Sequence, residues 1–80
     1  MSSPRPALAD RLADTCASVL AFVAAHNGAR VTAEIADALA SDAAGRQRAR
    51  LAVAELCQAG RLVSTYDPAT RRAGVLALPR

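Results

Sequence analysis

Lysine and tryptophan are missing from this chain, and aromatic side chains are reduced to Phe22 and Tyr66. So few rings count against a sheet that stacks single-stranded bases, because such surfaces need aromatic platforms. One histidine and two cysteines, Cys16 and Cys57, leave no ligand-like spacing for a metal, and no metal or other cofactor is expected. Also missing are paired carboxylates, a nucleophile beside a base and a glycine-rich phosphate loop, so the chain is not expected to be an enzyme and no small-molecule substrate is implied. The uncharged run from Thr15 to His26 is too short to span a bilayer, so no membrane partner is expected. Asp10 and Asp14 precede that run where a secretory signal carries positive charge, so the expected location is the cytoplasm.

What is present is alanine, which supplies much of the 52% hydrophobic content, and arginine, which supplies all ten basic residues. Eighty residues suffice for one domain, which buries only about 60% of its unfolded surface. Each cysteine falls on the apolar side of an expected helix. Two buried thiols in a reducing compartment is the plain reading; a redox-sensing pair and a structural disulfide are the alternatives.

Residues 1–6 form a Ser/Pro-rich start expected to be disordered, and residues 7–80 form the domain. From Ala7 the pattern is helical: Leu12, Cys16, Val19 and Val23 recur at spacings of four, three and four, with Leu20 and Phe22 alongside. Asn27-Gly28 ends the helix, Gly28 being suited to the left-handed cap, and His26 sits in the last turn. Arg30-Val31 reads as a short extended stretch. Thr32 is the expected N-cap of a second helix over about Ala33–Ala40, with Glu34 in its first turn and Ile35, Ala36 and Leu39 inward. Ser41-Asp42 is a second start signal, for a helix from about Ala43 to Ala59. Its inner stripe is Ala49, Ala52, Val53 and Leu56, and Gly60 ends it.

Beyond Gly60 the period changes to two. Leu62, Val63, Thr65 and Tyr66 read as one strand and Gly74–Leu78 as another. Asp67-Pro68-Ala69-Thr70 between them has the chemistry of a type I turn. The fold class is therefore α+β, in the order α-β-α-α-β-β with a C-terminal two-stranded ribbon.

Charge is divided along that order. The first 42 residues hold three arginines against five acids, and the last 38 hold seven arginines against two acids. Arg46, Arg48 and Arg50 crowd the start of the third helix, and Arg71 and Arg72 the tip of the ribbon. Two separate basic points suit a nucleic-acid backbone, where arginines neutralise phosphates and release counterions. A merely solvated arginine-rich face is the alternative.

Val31-Thr32-Ala33-Glu34-Ile35-Ala36-Asp37-Ala38-Leu39 resembles the second-helix signature of winged helix-turn-helix regulators. Glu55-Leu56-Cys57-Gln58-Ala59-Gly60-Arg61-Leu62-Val63 is similar to the end of their recognition helix and the first wing strand. Asp67-Pro68-Ala69-Thr70-Arg71-Arg72-Ala73-Gly74-Val75-Leu76-Ala77-Leu78 is similar to the wing of MarR-type repressors. The likeness spans about Leu12 to Leu78 and departs in three ways. Thr70 stands where the family's wing has Asp, a residue that orients the wing arginine. The stretch from Ala36 to Gly60 is about one turn longer than usual. The dimerisation helices and ligand pocket of full MarR-type proteins are absent, so sensing of a small molecule is not implied.

The resemblance implies a sequence-specific regulator, a dimeric repressor of double-stranded DNA whose third helix enters the major groove. It puts Arg46, Gln47, Arg48, Arg50 and Leu51 at the DNA. Arg50 and Gln47 suit base reading, Arg to guanine and Gln to adenine. Arg46 and Arg48 suit phosphates, and Arg71 and Arg72 the backbone or minor groove. Leu51 suits either a thymine methyl or a protein partner. The rival function is a winged-helix protein-interaction module, using Leu51 with an exposed edge at Leu76 or Leu78.

Overall fold

The computed structural model describes residues 8–79, with side chains from residue 12 onward; the expected disordered start, residues 1–6, lies outside the described residues. The elements run α1 (Leu8–Ala25), β1 (Arg30–Val31), α2 (Thr32–Leu39), α3 (Ala43–Gln58), β2 (Val63–Asp67) and β3 (Arg72–Ala77). The α+β class and the order expected from periodicity both hold. No helix among the described residues is long and apolar enough to cross a membrane.

The helical stripes meet as their spacings require. Val19 and Val23 of α1, Ile35 of α2, and Ala52, Val53 and Leu56 of α3 form one buried cluster, joined by Leu62 and Leu76 from the chain beyond α3. Leu12, Cys16, Leu20, Phe22, Cys57 and Leu78 pack against it while only partly buried. At roughly 1.5–3 kcal/mol for each large apolar side chain fully buried, these few residues supply most of the driving force for collapse.

The ends of the helices differ from expectation by small amounts with clear causes. His26 lies just past α1, its ring 4.6 Å from that of Phe22. Gly28 has φ 73°, and its N–H donates to the Leu76 carbonyl, tying the exit of α1 to β3. Thr32 is not the cap of α2 but its first residue; the cap is Val31. Val31 is already paired with Val75 in the sheet, so β1 runs into α2 without a loop. Leu39, expected inward, is 36% exposed, because α2 ends there and Ala40 turns to extended backbone.

The step from α2 to α3 is close. Asp42 caps α3, its Oδ1 accepting from the Gly45 N–H at 2.8 Å. A Cβ at Gly45 would lie 2.6 Å from that carboxylate oxygen and 2.8 Å from the Ala40 methyl. Glycine is there because the turn leaves no room for a side chain.

The ribbon expected at the C-terminus is part of a three-stranded antiparallel sheet in the order β1-β3-β2. Arg30 and Val31 pair with Leu76 and Val75, which makes β3 central. Leu76 is accordingly buried and Leu78 half-buried, so neither is the exposed edge that a partner contact would need. The return strand begins at Arg72, two residues earlier than its pattern suggests. Ala73 pairs with Tyr66 and Val75 with Thr65, which leaves Gly74, at φ 75°, as the extra residue of a bulge.

Candidate nucleic-acid interface

The third helix sorts its polar residues by the same 100° step that buries its alanines. With Gly45, Ala49, Ala52, Val53 and Leu56 inward, Gln47, Leu51 and Ala54 are bare on the opposite side. Arg50 is exposed too. Leu51 is 47% exposed, a large apolar group among polar ones.

The other two arginines of α3 lean to different flanks. Arg46 approaches α2, its Nε 4.0 Å from Asp37 Oδ1, the arginine half-buried and the aspartate well exposed. Arg48 is half-buried and lines a groove with Asp14 and Ser18 of α1 and Asp42 at the helix start. The three arginines therefore do not form one cluster, and only Arg50 projects freely to the open side.

The hairpin tip is shaped by its aspartate. Asp67 Oδ1 accepts from the Ala69 N–H and Oδ2 from the Thr70 hydroxyl, each at 3.0 Å. The turn then ends in Arg71 at φ 57°, the one non-glycine residue among those described with a left-handed backbone. Such a conformation costs a side-chain-bearing residue about 1–2 kcal/mol, and the side chain held there is exposed.

Arg72 points elsewhere. Its Nη2 donates to Glu34 Oε1 at 2.6 Å and its Nη1 reaches the Ala29 carbonyl at 3.4 Å. Thr70 cannot orient it as an aspartate would, and it does not need to; Glu34 does so from the start of α2. The same carboxylate oxygen accepts from the Val31 N–H at 3.2 Å. These hydrogen bonds, that of Arg72 first, hold the Glu34 carboxyl below its ordinary pKa.

Glu34 and Asp37 are three residues apart on α2, hence neighbours on one face. The foot of the hairpin is thus bonded to one side of this short helix through Glu34, and the start of α3 approaches the same side at Asp37. In the sequence Glu34 is marked only as a first-turn charge, and Asp37 carries no expected role. The signal was there in the acid–x–x–acid spacing on a helix with arginines before and after it.

Cys16 and Cys57 are free thiols, each partly buried. Cys16 Sγ donates weakly to the Ala52 carbonyl at 3.9 Å. Burial raises its pKa first, the Glu55 carboxylate adds to the rise, and Arg61 opposes it. No group of His, Cys, Asp and Glu suited to a metal occurs among the described residues.

What the fold and site define is a small α+β domain of three helices and a three-stranded antiparallel sheet, with exposed arginines on a helix and on a hairpin tip. No family model matches the chain, and no curated protein or solved structure matches it either.

Proposed function

We propose that this chain is a winged helix-turn-helix regulator with a MarR-like wing that binds double-stranded DNA and acts as a repressor in the cytoplasm. In this reading α3 enters the major groove, where Gln47 and Arg50 read base edges and Leu51 contacts a thymine methyl. The β2–β3 hairpin is the wing. Arg71 reaches an adjacent phosphate or the minor groove. Arg48 takes a phosphate at the flank of α3. Arg46 and Arg72 lie at the same surface, partly neutralised by Asp37 and Glu34. A homodimer would present two such units to half-sites about one helical turn apart.

The observation that supports this reading is the pair of acids on α2: Glu34 bonds Arg72 at the foot of the hairpin, and Asp37 lies 4.0 Å from Arg46 at the start of α3.

A salt titration with random and genomic duplexes tests it. Each neutralised phosphate contributes a slope of about −0.9 in log K against log salt. Arg48, Arg50 and Arg71 acting alone give about −3 per copy, and all five arginines about −4.5. A flat response, or no binding at low salt, removes DNA as the partner. Arg50→Ala should cost about 1–3 kcal/mol on a selected site and little on random duplex; equal losses make it a phosphate contact.

The second reading, a protein-interaction module without specific DNA binding, is favoured by one observation, the exposure of Leu51. Leu51→Glu would abolish partner capture in that case while leaving any salt-dependent duplex affinity in place.

A further inference from the structure

We infer that the outer edge of β2 is a self-association surface, on which a second copy of this chain adds its own β2 in antiparallel pairing. The surface deepens the proposed reading, which calls for a homodimer, by naming where the copies meet, and it forms without nucleic acid.

In the order β1-β3-β2 the strand β2 is paired on one side only. Its other side carries a row of backbone donors and acceptors. Folded proteins blunt such edges with charge, proline or a bulge in the edge strand itself. In β2 the one charged residue is Asp67, at its end, and the strand holds no proline or bulge. Val63, Ser64, Thr65 and Tyr66 are uncharged, rich in strand-forming residues and all exposed. The bulge residue, Gly74, belongs to the central strand, and Pro68 lies beyond the end of β2. The opposite edge, β1, has two residues and turns at once into α2.

Charge selects the occupant. Arg61 stands just before the strand and Asp67 ends it, both outside the uncharged segment. Antiparallel self-pairing about Ser64 sets Arg61 of each copy against Asp67 of the other, at both ends. Parallel pairing would set like against like. An unrelated extended peptide would need the same two charges at the same separation, whereas a second copy has them by construction.

Apolar surface on the strand and beside it gives the pairing more than backbone bonds. Val63 and Tyr66 are 40% and 55% exposed. A groove of about 640 Å³ runs along this part of the sheet, lined by these two with Asn27, Leu78 and Pro79 among others. A five-residue edge covers less than the roughly 1,600 Å² of a standard interface, so the association is weak and reversible.

The test is sedimentation equilibrium of the full chain without DNA, from micromolar to near-millimolar concentration. A reversible monomer–dimer equilibrium is expected. Arg61→Glu and Val63→Arg, both exposed and outside the core and the turn, should each weaken it at least tenfold while leaving the circular dichroism spectrum unchanged. A wild-type chain that stays monomeric overturns the inference. So does a dimer that survives both Arg61→Glu and Val63→Arg, or one that Leu51→Glu disperses instead. Loss of the dimer with duplex binding intact, or the converse, tells the failure of this inference from that of the DNA reading.

Discussion

Arg72, at the start of the last strand, and Glu34, in the first turn of the second helix, are 38 residues apart in sequence and 2.6 Å apart in space. Through this contact one carboxylate joins the base of the hairpin to the helix that supports α3. It also satisfies the Val31 N–H, so the junction of β1 and α2 depends on the same side chain.

The contact has a pH signature. Glu34 is held below its ordinary pKa chiefly by the Arg72 hydrogen bond. A carboxyl depressed in the folded state contributes stability that is fully present above its unfolded value. That stability is lost as pH falls through the lower folded value. In denaturant titrations between neutral pH and about pH 2.5, the wild type should lose more stability than Glu34→Gln. Parallel curves for the two would mean that the pair is not populated in solution. Because both side chains are substantially exposed, the difference should shrink as salt is raised.

Arg71 separates folding from binding. Glycine accepts its left-handed backbone without strain. Arg71→Gly should leave the chain as stable as the wild type, or up to about 1 kcal/mol more so. If the proposed wing contact is real, the same variant lowers the salt slope of duplex binding by about 0.9. Unchanged duplex binding would remove Arg71 from the interface whatever the stability result.

Gly45 has no room to change. An alanine there meets the Asp42 carboxylate and the Ala40 methyl at under 3 Å, so the α2–α3 turn must shift. Gly45→Ala should cost about 1–3 kcal/mol in chemical unfolding, although alanine is the better helix former. Asp42→Ala, which only removes the cap, should cost about 0.5–2 kcal/mol. If Gly45→Ala were neutral or stabilising, the close approach would not exist in solution.

Cys16 should be a sluggish thiol. Burial and the nearby Glu55 charge raise its pKa, which lowers the thiolate fraction at neutral pH. In a Cys57→Ala background, iodoacetamide should modify it more slowly than a free cysteine at pH 7.5, and the rate should climb above about pH 9. Replacing Glu55 with Gln should speed the reaction at neutral pH. A rate equal to that of free cysteine would rule out the raised pKa.

Local pattern carried most of the architecture. The 3.6-residue recurrence of Val19 and Val23, and of Ala49, Ala52, Val53 and Leu56, reports which sides of α1 and α3 are inside, because helix geometry puts such positions on one face. Asp42 and Gly60 mark helix limits by chemistry that acts within a few residues. The Asp67 turn is legible for the same reason.

What the sequence by itself could not settle lies in relations across long separations. Only the tertiary structure decides that Arg30-Val31 pairs with Val75-Leu76, which turns a two-stranded ribbon into a sheet and buries Leu76. It also decides that Arg72 is held by Glu34, that Arg46 comes within 4.0 Å of Asp37, that Arg48 is half-buried beside the α2–α3 turn, and that Arg50 and Arg71 are exposed. Periodicity tells which side of an element is buried. It carries no information on which charge another element brings to the exposed side, because that depends on how the helices cross and not on the order of residues within any one of them.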